Sequence, residues 1–136
     1  MPDIDISIDD TIEASEALAL YIANKWSSAD HPEKLLAALR GSDSLVTARI
    51  DGTLVGLANA ISDGHLVVYY PHLLVHPDHH GHGIGARIMA AMGERYGSFH
   101  QQMLTADVDS VAFYERVGFE RAGNTVPMWI YAGTDH

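Results

Sequence analysis

The chain predicts a mixed α/β fold (α+β in layout), a mostly antiparallel sheet of six or seven strands flanked by about four helices. Three observations carry this. Short stretches of period-2 and period-3.6 apolar patterning alternate along the chain. Two Asp-Gly pairs, at 51–52 and 63–64, join three successive apolar runs into an antiparallel meander. A length of 136 residues with 47% hydrophobic side chains suits one domain, residues 1–136, with a core of its own.

The elements follow in order. "DIDISID" alternates Ile4, Ile6 and Ile8 with polar residues and reads as a strand. Asp10 with Glu13 three residues on resembles a capping box, which places a helix around 11–26. Asp30, Pro32 and Glu33 start a second helix that runs to Arg40 and stops at Gly41. "SLVTARI", "TLVGLANAIS" and "HLVVYYPHLLV" are the meander. Pro71 removes a backbone donor from the third run, so a bulge or an edge is expected there. Ile84, Ile88 and Met92 recur at helical spacing up to Gly97. "QMLTA" is a short strand, "SVAFYERV" a short helix closed by Gly118, and "FERA" and "MWIYA" are the final strands.

Composition removes several function classes. With no cysteine, disulfide frameworks, thiolate metal sites and cysteine nucleophiles are excluded. The N-terminal stretch has neither a basic nor an apolar region of signal-peptide type, and no run is long enough for a membrane span. A cytoplasmic protein is expected, without a membrane partner. A formal charge of −10 argues against a broad nucleic-acid footprint and mildly favours a cationic partner such as an amine.

Residues 75–85, "VHPDHHGHGIG", concentrate the chemistry. His72, His76, His79, His80 and His82 invite a metal reading, since imidazole is the commonest metal ligand. Their spacing is not that of a defined site: His72 and His76 lie in strand-like sequence, roughly 13 Å apart if extended. The glycines offer a phosphate reading. Gly81, Gly83 and Gly85 let backbone amides approach an anion, and the helix that follows points its unpaired N–H groups at the loop. "GHGIGA" also matches the dinucleotide fingerprint, with Asp107 some twenty residues on. Too little chain follows Asp107 for a doubly wound sheet, however, and the meander precedes the glycines.

"LLVHPDHHGHGIGARIM" followed by "FYERVGFE" resembles the GNAT superfamily of N-acetyltransferases. In that family a strand ending in V-x-P leads to an R/Q-x-x-G-x-G/A loop that binds the pyrophosphate of acetyl-CoA. The pattern falls here on Val75, Pro77, His80, Gly81, His82, Gly83, Ile84 and Gly85. The later motif falls on Phe113, Tyr114, Gly118 and Phe119. The resemblance implies a sheet splayed after its fourth strand and acetyl-CoA as co-substrate, with no metal required. It implies cofactor contacts from Leu74 and Val75, from the loop 80–85, from Ala86, and from Asp107 and Tyr114 near the pantetheine arm. Three positions depart from the family pattern. His80 replaces an Arg or Gln, His82 a frequent Lys or Arg, and Asp107 an Asn. An imidazole still donates an N–H, and gains charge when protonated.

By the same resemblance Tyr114 is the general acid toward the coenzyme A sulfur, and a backbone N–H near Leu73–Val75 faces the developing oxyanion. The base that takes the amine's proton is open among His72, Glu115 and a water chain. His72 lies just before the expected splay. Tyr69 and Tyr70 either line an amine pocket or belong to the sheet. The expected activity is transfer of acetyl from acetyl-CoA to a primary amine of a small molecule or peptide, in a ternary complex. Two other readings stand beside it: a non-catalytic CoA-binding module of the same fold, and a histidine-based metal-binding protein. The last segment, "PMWIYAG", either completes the sheet or pairs with a partner's edge in a homodimer.

Overall fold

The computed structural model describes residues 3–134. Strand β1 (Asp5–Ile8) pairs antiparallel with β2 (Ser44–Ile50), and β2 with β3 (Thr53–Ser62). The β2–β3 turn has Asp51 at φ 49° and Gly52 at φ 81°. Two consecutive positive φ values are what a two-residue turn between right-twisted strands requires.

Helix α1 (Ala14–Ala23) is shorter than the expected 11–26 and starts from a different cap. The Glu13 N–H donates to Glu16 Oε2 at 2.8 Å, so the reciprocal cap sits at 13–16. Asp10 is not free to cap, because its Oδ2 accepts from Arg49 Nε and Thr47 Oγ1, both at 3.0 Å. Arg49 also forks onto Glu16 at 2.7 and 2.9 Å. This clamp fixes the start of α1 against β2. Helix α2 (Pro32–Arg40) has Pro32 in its first turn and Gly41 after its last, as the sequence predicts.

The third run of the meander breaks at Pro71 into β4 (Val67–Tyr69) and β5 (Leu73–Val75). Both pair with β3, β4 at Ile61–Ser62 and β5 at Gly56–Ala58. Helix α3 (Ile84–Tyr96) follows the glycine loop and ends at Gly97. Strand β6 (Gln101–Met103) pairs parallel with β4, and α4 (Val111–Arg116) follows. The sheet order is β1-β2-β3-β4-β6, with β5 off this path on β3.

The helices cover opposite faces. On one, Val46, Ala58 and Val68 pack against Ile84, Ile88, Met92 and Tyr96 of α3. On the other, Leu45, Leu57 and Leu74 pack against Leu20, Tyr21, Leu35 and Leu39 of α1 and α2. Ile88 and Leu57 are fully buried, so truncating either to alanine should cost about 2–5 kcal/mol. No helix among the described residues is long and apolar enough to cross a membrane.

The expected final strands "FERA" and "MWIYA" are absent as strands. Residues 119–134 carry no strand, and Val126, Met128 and Ile130 are exposed. Their alternation suits a strand, but a strand needs an edge to pair with, and here the segment leaves the sheet.

Candidate functional site

The break at Pro71 is built by Asn59, a polar residue 3% exposed in the middle of β3. Its side-chain Oδ1 accepts from the His72 N–H at 3.1 Å, and its own N–H donates to the His72 carbonyl at 3.2 Å. A side-chain oxygen thus does the work of a backbone carbonyl and lets the strand bend without losing a bond. Before the bend, the Tyr70 N–H still reaches the Met103 carbonyl at 2.9 Å. After it, β5 pairs with β3 alone, and the sheet splays open between β5 and the chain leaving β6.

The register decides which backbone groups face that opening. The His76 N–H bonds the Val55 carbonyl at 2.7 Å, and Leu74 stands opposite Leu57. Antiparallel alternation then directs the N–H groups of Leu73 and Val75 away from β3, toward the splay. Leu74 lies the other way, its backbone toward β3 and its side chain buried. Of the strand residues implied in the sequence, Val75 therefore presents a donor to the opening, and Leu73 joins it.

Beyond Val75 the loop turns through Pro77–His79 and folds back. The His80 Nε2–H donates to the Val75 carbonyl at 2.8 Å, so this imidazole braces the loop against the strand it left. Gly81 and Gly83 have φ of 83° and 77°, and a Cβ at either would meet nothing within 4 Å. Both need the left-handed conformation, and both face open space. His82 is exposed between them. Ile84 is buried and anchors the start of α3. The first intrahelical bond runs from the Arg87 N–H to the Gly83 carbonyl at 3.1 Å. The N–H groups of Ile84, Gly85 and Ala86 precede it, at the positive end of the helix dipole.

Gly85 plays a different part from the other two glycines. A Cβ there would lie 3.1 Å from Phe113 Cζ and 4.0 Å from Val75 Cγ2. The missing side chain lets α4 close on the start of α3, bringing the "FYERVGF" segment to the glycine loop. Phe113 and Tyr114 are half-buried, with rings edge-to-face at 5.0 Å, and Phe119 packs on Tyr114 at 5.9 Å. Burial, with a contribution from the Asp107 charge, holds the Tyr114 phenol above its ordinary range, so it keeps its proton. Asp107 precedes the turn into α4, its carbonyl accepting the Ser110 N–H at 2.8 Å. Glu115 is exposed on α4.

On the other wall of the splay, His72 Nδ1 lies 2.7 Å from the hydroxyl of the fully buried Tyr21. Trp26 stands edge-on to both rings, at 5.2 Å from His72 and 5.8 Å from Tyr21. Tyr21, Trp26 and Asn59 were not singled out in the sequence. Asn59 had a signal, an amide inside the apolar run "VGLANAIS"; Tyr21 and Trp26 had none. Tyr70 is a core residue whose hydroxyl donates to Gln102 Oε1 at 2.7 Å, whereas Tyr69 is exposed.

Two of the loop's histidines, His76 and His79, stand edge-to-face at 6.0 Å, and His80 and His72 turn elsewhere. His76 Nδ1 accepts from the Asp78 N–H at 3.1 Å, His80 is turned onto Val75, and His72 onto Tyr21. Among the described residues no three His, Asp or Glu side chains are grouped to hold a metal ion.

A family model described as an acetyltransferase (GNAT) domain matches residues 10–128. No curated protein sequence matches the chain. Among solved structures, a GNAT-family acetyltransferase from Streptococcus pneumoniae TIGR4 is 27% identical, with 96% of this chain and 99% of that one covered at a TM-score of 0.83. A putative acetyltransferase from Deinococcus radiodurans R1 is 29% identical, with 96% and 89% covered and a TM-score of 0.82. An aminoglycoside N-acetyltransferase solved in complex with CoA shares the fold at 18% identity, with 96% and 95% covered and a TM-score of 0.70.

Proposed function

The chain belongs to the GNAT acetyltransferase family, and from that premise we propose that it transfers acetyl from acetyl-CoA to a primary amine by direct attack in a ternary complex. The observation that carries the proposal is the junction at Gly85, where Val75, the start of α3 and Phe113 meet. One small volume there combines an open strand edge, a helix N-terminus and the tyrosine-bearing helix.

The residues fit the co-substrate. The N–H groups of Ile84, Gly85 and Ala86 suit the pyrophosphate, and Gly81 and Gly83 leave the approach clear. His80 holds the loop closed through Val75, and His82 is the exposed imidazole available to a phosphate. The open edge of Leu73 and Val75 offers backbone donors to an extended amide-bearing arm and to a carbonyl oxygen as it gains charge.

Acetyl-CoA supplies a thioester carbon open to attack. The acceptor's ammonium first loses a proton, its lone pair forms the new N–C bond as the C–S bond breaks, and the nitrogen gives up a second proton as the sulfur gains one. Tyr114 donates a hydrogen bond or its proton to the departing sulfur, a role that suits a phenol held protonated. His72, beside Leu73 at the mouth of the splay, is our base for the amine, with its Nδ1–H turned onto the Tyr21 hydroxyl and its Nε2 taking the proton. The chain's formal charge of −10 favours an acceptor that arrives as a cation. A cytoplasmic setting is part of this reading, since the chain needs no disulfide.

A free-thiol release assay with acetyl-CoA across small amines, amino sugars, polyamines and peptides tests the proposal. Amine-dependent thiol release is expected. Protection of residues 75–87 by acetyl-CoA without release for any amine would leave only a binding module, and absence of both protection and thermal shift would overturn the reading.

A further inference from the structure

Asn59 holds both backbone polar groups of His72. Its Oδ1 accepts from the His72 N–H at 3.1 Å, and its own N–H donates to the His72 carbonyl at 3.2 Å. The carbonyl also settles the next residue. The His72–Leu73 peptide is trans and planar, so its C=O and N–H point in opposite directions. With the carbonyl turned onto β3, the Leu73 N–H is turned into the splay.

The Asn59 carboxamide has a second end. Its Nδ2 donates to Ser42 Oγ at 3.0 Å, and that hydroxyl donates to the Ala38 carbonyl in the last turn of α2 at 2.7 Å. Only one polarity is possible along this row. The His72 N–H needs an acceptor, so Oδ1 faces it. Nδ2 then needs one too, and Ser42 Oγ can accept because its hydrogen goes to Ala38. A flipped amide would set donor against donor at His72. Asn59 is 3% exposed, on a strand whose neighbouring Leu57, Ala58 and Ala60 are apolar and fully buried. Burial alone would place an apolar side chain there, since a buried amide costs stability unless both ends are bonded. The purpose of the amide therefore lies in what it joins, the end of α2 and the peptide at the splay.

We propose, resting on the acetyl-transfer reading, that Asn59 and Ser42 are positioning residues for the reaction. Both act through the His72 backbone. They hold two groups on one wall of the splay, the Leu73 N–H that meets the developing oxyanion and the imidazole that takes the amine's proton. The loop 81–86 lies beyond the other end of β5 and outside this row, so acetyl-CoA keeps its pyrophosphate contacts when the row is cut. A misplaced donor or base slows transfer without weakening binding, because both meet the reacting atoms rather than the phosphates.

Asn59 is buried, so the row is best cut at Ser42, which is only partly buried. Ser42→Ala removes the acceptor for Nδ2 and frees the carboxamide to rotate. In the full chain it is expected to lower kcat about tenfold, with the acetyl-CoA dissociation constant from calorimetry near its native value. Ser42→Thr restores a γ-hydroxyl and is expected to recover turnover. Amide hydrogen exchange gives a readout independent of turnover. Protection of the His72 amide is expected to fall about tenfold in Ser42→Ala. The Tyr70 and His76 amides, bonded to the backbone carbonyls of Met103 and Val55, should keep theirs. An unchanged His72 amide overturns the proposal, as does a loosened one with native kcat. So does a joint loss of turnover and acetyl-CoA affinity that Ser42→Thr fails to restore. A native chain that releases no thiol with any amine, while its His72 amide loosens in Ser42→Ala as expected, overturns the acetyl-transfer reading and leaves the clamp on the peptide standing.

Discussion

The hydroxyl of Tyr21 lies 2.7 Å from Nδ1 of His72. Burial holds the Tyr21 phenol far above its ordinary range, so Tyr21 keeps its proton, and Nδ1 is placed to accept it. When the phenol donates, neutral His72 carries its own proton on Nε2. It acts as a base through Nε2 only when the bond is reversed, with Nδ1–H donating to the Tyr21 oxygen. With His72 as base, His72→Gln should lower kcat/KM by about 10²-fold and abolish the acidic limb of its pH profile. Tyr21→Phe removes the hydroxyl that accepts Nδ1–H in that reversed bond, and should lower kcat/KM less than His72→Gln does. An acidic limb that survives His72→Gln assigns the base elsewhere.

Tyr114 is expected to act on turnover rather than on binding. Tyr114→Phe keeps the edge-to-face contacts with Phe113 and Phe119 and removes only the hydroxyl. Steady-state kinetics should show kcat down by about 10²-fold with KM for acetyl-CoA barely changed. Equal losses in affinity and turnover, with a lower Tm, would make the residue a packing group.

The glycines of the loop should separate in their effects. Gly83→Ala forces a side chain onto φ 77°, a cost of about 1–2 kcal/mol. Since a Cβ there meets no protein atom, its signature is a lower Tm with weaker acetyl-CoA binding. Gly85→Val instead drives into Phe113, whose ring lies 3.1 Å from the added Cβ. Displacing that ring displaces Tyr114 beside it, so kcat should fall more for Gly85→Val than for Gly83→Ala. Paired calorimetry and kinetics on both variants check this.

Acid stability should depend on the Arg49 clamp. Hydrogen bonds from Arg49 hold the Asp10 and Glu16 carboxyls below their ordinary values. Carboxylates depressed in the folded state add stability that is present above their unfolded pKa values, roughly 4, and lost as pH falls through the folded values. Arg49→Met should cost about 2 kcal/mol at neutral pH. Denaturant melts between neutral pH and pH 3 should show a shallower acid loss in the variant than in the native chain.

Much of the architecture was legible locally. Asp51-Gly52 predicts the hairpin because only residues tolerant of positive φ make that turn, and both adopt it. Pro71 predicts the break in the third run because it lacks an N–H; that Asn59 would stitch the break was not legible, since the bond joins residues thirteen apart across two strands. The cap of α1 was misplaced for a related reason. Asp10 and Glu13 have capping-box spacing, but Arg49, far along the chain, claims Asp10. Within the glycine loop, the sequence marks which residues lack side chains, whereas the fold sorts their purposes: Gly81 and Gly83 turn the chain, and Gly85 admits Phe113.

By itself the sequence determined the element order from β1 to α4, the hairpin, the glycine loop opening α3 and the family resemblance carried by "HHGHGIGA" and "FYERVGF". These are local matters of φ, hydrogen-bonding capacity and apolar period, encoded within a few residues of where they act. Only the tertiary structure decided that Leu73 and Val75 present their N–H groups to the splay, that His80 braces Val75, and that His72 meets Tyr21. It alone shows "MWIYA" leaving the sheet. Each of these depends on register or on contacts between distant segments, and a strand-like sequence becomes a strand only where an edge receives it.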